Sequence, residues 1–356
     1  MSMRTDYLEL VSMIIENHLT LDLFLKLSGV NQDAAEEELA HLLPITYTIG
    51  TEPKPMYFFK SADFPNLGQV FHCTKLFTFA KGGSPYKEDE ISSYDIREDH
   101  PYIQAGVYDP QKKAFLAGLR FLPLYEGIPF HMSAMHTLFY ANDVFVGNFL
   151  PETLEIGQTF ILPDAGNLGG QYLFSILAAL VVIHKDARYL CGKPTIEGRI
   201  PDVSKEIISA FAYDAFNPSE NSAFNPSAQP LLSPIEDVVV PDLRSFVDIV
   251  NQYNTEVHGL YPELQYHTVL STQQKRKITE KLLLYYGGAL PPMFKFYSVL
   301  TEEKGMICLA RSVVNSAYTT RAWEFPILID KTKIASIHKR IVDHYTEYFK
   351  DKEVHY

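Results

Sequence analysis

At 356 residues the chain is long enough for one large domain or two modest ones with a sizeable buried core. Apolar residues make up 46% and charged residues 21%, a globular rather than a disordered composition. The formal charge of −12 disfavours a nucleic-acid backbone as partner and spontaneous adsorption to anionic lipid. Three distant cysteines, Cys73, Cys191 and Cys308, give neither a disulfide framework nor zinc-ligand spacing, and no metal site is expected. The first residues lack the basic-then-apolar order of a signal peptide, and the longest apolar run, near Leu173 to Ile183, is too short to span a bilayer. A soluble, cytoplasmic protein is expected, with peripheral contact at the inner membrane face left open.

Taken in order, Tyr7 to His18 repeats apolar positions at helical spacing through Leu8, Val11, Ile14 and Ile15. A second helix is predicted over Leu19 to Leu27. A third runs from Asn31 to Leu42, with Asn31 as its cap. Together these form an N-terminal helical extension, residues 1–50, packed against the main domain or serving as a cap or dimerising element. From Tyr57 the texture changes, and Phe58 to Asp63 and Gln69 to Phe79 are rich in aromatic and β-branched residues. Lys81 to Pro85 reads as a turn, and the polar, acidic stretch Tyr86 to His100 as a solvated loop.

Ile103 to Tyr108 predicts a strand, Asp109 to Lys113 a turn, and Ala114 to Leu122 the antiparallel partner. Arg120 stands inside that apolar run. If it points inward it needs an anion, because a buried unpaired charge is costly, and Asp95, Asp99 and Glu155 are the candidates. A further strand, Leu154 to Leu162, carries one carboxylate, Glu155. A glycine-rich turn to Gly170, an apolar helix from Gln171 to His184 and an extended piece from Arg188 to Cys191 complete this unit. A strand, turn and helix in this order aim free backbone N–H groups at an anion, so Gly166, Asn167, Leu168, Gly169 and Gly170 are candidate binding residues. The spacing matches neither common nucleotide motif, and many such connections bind nothing.

Beyond Cys191 the chain enters a helical, loop-rich insertion around residues 201–285, with helices at Ser204 to Tyr213, Leu243 to Tyr253 and Lys275 to Leu284. Pro291 or Pro292 can open another helix; Met306 to Ala310 and Glu324 to Ile329 are strand-like, and Ile334 to Phe349 is a terminal helix. Without a regular βαβ rhythm, the pattern predicts an α/β (α+β) domain over residues 51–356 with a central mixed twisted sheet. The aromatic segments Phe130 to Phe149 and Met293 to Tyr297 suit either an apolar trench or ordinary core filling.

Four stretches carry a resemblance to a known family. They are Asp95-Ile96-Arg97-Glu98-Asp99-His100, Ala117 to Pro123 around Arg120, Glu155-Ile156-Gly157-Gln158 leading through Leu162-Pro163-Asp164 to Gly192, and Leu290 to Tyr297. In their order and spacing the chain resembles the Gcn5-related N-acetyltransferase (GNAT) superfamily. More narrowly it is similar to the ornithine-lipid and glycine-lipid N-acyltransferase branch, often labelled hemolysin-like, whose layout is related to acyl-homoserine-lactone synthases. The likeness covers roughly Tyr57 to Asp330.

The resemblance implies a GNAT-like acyl-CoA N-acyltransferase fold and acyl transfer from a thioester, on coenzyme A or acyl carrier protein, to a primary amine. The carrier is then a co-substrate, with no permanently bound cofactor. Glu155 is expected to hold or deprotonate the amine, Arg120 to fix acidic groups or an acceptor carboxylate, and Asp95 and Asp99 to recognise the amine. His100 is structural or an auxiliary base, and Cys191 is packing. Two departures stand out: Gln158 replaces an arginine of the family, and Ala165-Gly166 replaces Tyr-Arg, removing cations suited to carrier phosphates. A non-catalytic lipid-binding protein and an acyl-homoserine-lactone-like synthase stay open as alternatives.

Overall fold

The computed structural model describes residues 3–49, 52–82, 85, 101–216, 230–242, 244–262, 270–291, 294 and 305–352. Asp95, Asp99 and His100 lie outside these residues, as do the proline-rich part of the insertion and all of Met293 to Tyr297 except Phe294.

The predicted elements form close to where periodicity and capping put them. Helices α1 (Met3–Ile15), α2 (Leu21–Leu27) and α3 (Gln32–Leu39) open the chain, and the Asn31 side chain caps α3 by accepting from the Ala34 N–H. They pack onto α4 (Pro65–Gly82), with Phe24 of α2 5.9 Å from Phe77 of α4. The aromatic and β-branched stretch from Gln69 to Phe79 therefore lies in a helix. Its apolar residues show no stripe because α4 is enclosed between the sheet and the N-terminal helices.

Eight strands make the central sheet. They are β1 (Ile45–Ile49), β2 (Glu52–Phe59), β3 (Ile103–Asp109), β4 (Ala114–Pro123), β6 (Thr153–Ile161), β7 (Tyr189–Gly192), β13 (Ile327–Asp330) and β10 (Met306–Cys308), in that spatial order. Small sheets pair β5 (Phe139–Ala141) with β9 (Leu232–Pro234), and β11 (Val313–Asn315) with β12 (Ala322–Glu324) and β8 (Thr195–Ile196). Neighbours in the main sheet run antiparallel except β6 and β7, which are parallel. The stretch Glu324 to Ile329, read from sequence as one strand, divides at Phe325-Pro326 between β12 and β13. Proline has no N–H to give a ladder, so the chain leaves one sheet there and enters the other.

Strands β3 and β4 are buried at every position, because both faces of the sheet are covered. On one face lies α6 (Gly169–Ile183), which follows a short α5 (Asp143–Asn148); Phe121 of β4 stacks edge-on against His184 at the end of α6, 5.0 Å between ring centres. On the other face Phe71 of α4 lies directly over Gly118. Further along that face the aromatic segment Phe130 to Phe149 closes a separate core with Leu122, Tyr189 and Cys191. Those phenylalanines are buried core filling rather than exposed trench walls. Helices α7 (Asp202–Ala215), α8 (Phe246–Glu256) and α9 (Thr272–Tyr285) form the described part of the insertion, and α10 (Ser336–Phe349) packs along α6.

Gly169 fixes how closely α6 approaches β6. A Cβ at this position would sit 2.2 Å from Cγ2 of Ile161, so the helix start has no room for a side chain. Substitution Gly169→Ala is expected to lower stability by about 1–3 kcal/mol through overpacking, read as a fall in the urea midpoint at unchanged slope.

Candidate functional site

Alternation along β4 puts Gly118, Arg120 and Leu122 on the face away from α6. Arg120 thus falls between α4 and the Phe130 to Phe149 lobe, and it is only 3% exposed. Across the ladder, Leu122 pairs with Glu155 and Arg120 with Gly157. Glu155 is 1% exposed and shares that face, so the structure brings together the two described residues singled out as catalytic candidates. The Arg120 guanidinium lies 4.2 Å from the centre of the Tyr102 ring, a cation–π contact in a desolvated setting.

Glu155 also marks the end of the parallel pairing. Thr153, Leu154 and Glu155 face Tyr189, Leu190 and Cys191, and there the β6–β7 ladder stops while β6 continues to Ile161. The two strands part from this point, leaving a fork whose inner corner is Glu155, Ile156 and Gly192. A Cβ on Gly192 would meet the Ile156 carbonyl oxygen at 2.5 Å, so only glycine fits in that corner.

Just past the fork β6 bulges. Gly118 opposes Phe160 and Arg120 opposes Gly157, so Gln158 and Thr159 together face the single residue Leu119. Gln158 takes a left-handed φ of 49°, uncommon for a residue with a side chain. A bulge removes backbone groups from the ladder and re-aims them. The Gln158 side-chain oxygen accepts a short hydrogen bond from Nζ of Lys75, a fully buried residue of α4. A lysine from a different element therefore stands beside Gln158, the position where the sequence lacks an arginine.

Buried charge sets the electrostatics. Burial raises the pKa of Glu155, while hydroxyl groups of Ser133 and Tyr102 and the cations Arg120 and Lys193 pull it back. The Tyr102 oxygen accepts from the Ala134 N–H at 2.7 Å and the Ser133 oxygen from the Met135 N–H at 3.0 Å, so each hydroxyl keeps its own proton for the carboxylate. Among the described residues, one carboxylate oxygen, Oε2, is buried without a hydrogen-bond partner. Burial, then Glu155, lifts the Tyr102 phenol well above its ordinary range, keeping it a proton donor. The same two causes raise the Cys191 thiol, which fits packing and not nucleophilic chemistry. Burial and then Arg120 push the Lys75 ammonium well down.

On the other side of β6, residues Pro163–Leu168 form a 3-10 turn in which Gly166 adopts φ 59°. Helix α6 then begins at Gly169 with no side-chain cap on its N–H groups. Gly170 is exposed, with open space where a Cβ would be, whereas Gly169 is buried against Ile161. The backbone of Asn167 lies in the turn, between Gly166 and the half-exposed Leu168. Among the described residues no three His, Cys, Asp or Glu side chains gather as a metal-ligating group, and no helix is long and apolar enough to cross a membrane.

Sequence reasoning missed Lys75, Tyr102, Ser133 and Lys193. None lies within a recognisable motif, and only the topology carries Lys75 to Gln158 and the other three to Glu155. A lysine in the middle of an apolar helix was the one available signal, since such a residue is almost never fully buried without a role.

A raised Glu155 pKa has a definite sign in stability. Between the unfolded value, near 4.5, and the higher folded value, the native state holds the extra proton, so rising pH destabilises the wild type across that window. The substitution Glu155→Gln removes this dependence. Its stability relative to wild type is expected to grow as pH rises through the window and then level off, measured by urea unfolding at several pH values.

No family model matches the chain. A glycine N(alpha)-acyltransferase of Bacteroides thetaiotaomicron is 28% identical over 174 residues, 45% of this chain and 48% of the relative. A second glycine N(alpha)-acyltransferase, from Phocaeicola vulgatus, is 27% identical over 184 residues, 48% of this chain and 56% of the relative. The chain spans about half the length of the curated relatives it matches. Its mixed sheet, forked at one parallel pair and flanked by helices, is consistent with a GNAT-like acyltransferase fold, and at low identity the chain is similar to the glycine N-acyltransferases.

Proposed function

We propose that the protein is an N-acyltransferase that moves an acyl group from a thioester, on coenzyme A or acyl carrier protein, to the primary amine of an amino acid or amino-acid lipid precursor. The observation that carries this reading is a fully buried carboxylate, Glu155, at the fork of two parallel strands, with one oxygen unpartnered among the described residues. An acceptor ammonium supplies what Oε2 lacks, because a buried acceptor left unmade is costly. The two similar glycine N-acyltransferases support the same class of reaction, and the finer assignment to the glycine-lipid and ornithine-lipid branch belongs to this proposal.

The chemistry follows from the residues around the fork. The ammonium binds Glu155 and passes it a proton; burial makes the carboxylate a better base than a solvated one. The freed amine attacks the thioester carbonyl, forming the C–N bond. Carbon–sulfur cleavage then completes the transfer, and the second proton of the attacking nitrogen passes to the departing thiolate, so that a neutral amide and a free thiol, with an ordinary pKa of about 8.5, are the products. Backbone N–H groups released by the Gln158–Thr159 bulge are the proposed donors to the developing oxyanion. Ser133 and Tyr102 hold the carboxylate, and Arg120 balances its charge. The turn from Gly166 to Gly170, exposed at Gly166, Leu168 and Gly170, is the proposed seat of carrier phosphate, at the uncapped start of α6. Lys75, buried in α4, holds the Gln158 side chain and so steadies the bulge.

The test is native mass spectrometry with long-chain acyl-CoA or acyl carrier protein, followed by addition of glycine and other amines. A carrier complex that disappears with formation of an N-acyl product is the expected result. Free lipid bound, with neither carrier retained nor consumed, refutes the reading. In the same assay Glu155→Gln is expected to lower kcat/KM by about 10²–10⁴-fold, the usual weight of a general base, while carrier binding persists.

A further inference from the structure

Lys193 follows directly on β7, two residues beyond Cys191, the pairing partner of Glu155, and so belongs to the same side of the fork. Its ammonium does not bond Glu155. Instead it lies 3.1 Å from Oε2 of Glu324 on β12, a residue 3% exposed. Glu324 is held by three further donors: Thr195 at 2.9 Å, Asn315 at 3.0 Å and Tyr318 at 3.2 Å. A carboxylate so fully satisfied is fixed in place, and it fixes the lysine that it binds.

We propose that Lys193 is a positioning residue of the Glu155 site, clamped by Glu324 so that its charge acts on Glu155 while the open oxygen stays vacant for the acceptor amine. Freed of the clamp, an ammonium on this side of the fork can pair with that open oxygen, and an internal ion pair there excludes the acceptor. The clamp thus separates two effects of one cation, its field and its occupancy. This inference rests on the acyl-transfer reading for its purpose but not for its test. Among the described residues, the groups that face Glu155 are Arg120 from β4, Tyr102 ahead of β3, Ser133 from the lobe, Cys191 from β7 and Lys193. Lys193 is restrained by a second buried carboxylate, Glu324.

The two ends of the clamp predict opposite shifts. Lys193→Met removes the field, so Glu155 titrates at higher pH; Glu324→Gln releases the lysine onto Glu155, which then titrates at lower pH. The titration is followed by isotope-edited infrared spectroscopy of the carboxyl band in the substrate-free protein, with Glu155→Gln as the blank. Lys193→Arg is expected to stay near wild type, and Lys193→Gln serves if the methionine variant does not fold. In turnover, Glu324→Gln raises KM for the amine about tenfold if Lys193 occupies Glu155 nine-tenths of the time, with KM for the thioester unchanged. An unmoved Glu155 titration in the Lys193 variants, or shifts of the same sign at both ends, overturns the inference. Opposite shifts in a protein that transfers no acyl group leave the clamp standing and overturn the acyl-transfer reading.

Discussion

A carboxylate taken out of water at the point where two parallel strands separate is the constraint on which the site depends. Burial alone leaves Glu155 favouring its neutral form, and a neutral acid has no use for an ammonium. The neighbours counter this without neutralising it. Two hydroxyls whose oxygens are already engaged by backbone N–H groups turn their protons to the carboxylate, and two cations lend charge from a distance. The result is a carboxyl group held above its ordinary range, with one oxygen still open among the described residues.

The fold provides this setting through ordinary means. Beyond Glu155 the main sheet keeps β6 but loses its β7 partner, and Gly192 lets the corner close tightly before the strands part. The bulge at Gln158 bends β6 just there, and α6 packs close beneath it because Gly169 has no side chain. Helix α4 brings Lys75 to the bulge, while the Phe130 to Phe149 lobe brings Ser133 and caps the opposite end of the same face. Three separate parts of the chain meet at one short stretch of β6.

Much of this was legible in the sequence because it is local. The hairpin of β3 and β4 follows from alternation and a turn, α3 from its Asn31 cap, and the order of β6, turn and α6 from the glycines and the apolar run. Arg120 and Glu155 stood out because charges inside apolar strands demand a reason, and the ladder does set them on one face. Partners brought by topology were illegible: nothing near Lys75, Tyr102, Ser133 or Lys193 announces Glu155. The aromatic wealth of residues 69–79 suited a strand or an enclosed helix equally, and only the covering helices decide it. Likewise the break at Phe325-Pro326 separates two sheets that a single apolar run conceals.

The most direct measurement is a crystal structure with a bisubstrate analogue, an amine joined to a coenzyme A or phosphopantetheine thiol through a stable linker. The account predicts the sulfur in the fork between β6 and β7, the linker along the Gln158 bulge, and the amine nitrogen within hydrogen-bond distance of Oε2 of Glu155. An analogue seated elsewhere, with Oε2 still unpartnered, contradicts it.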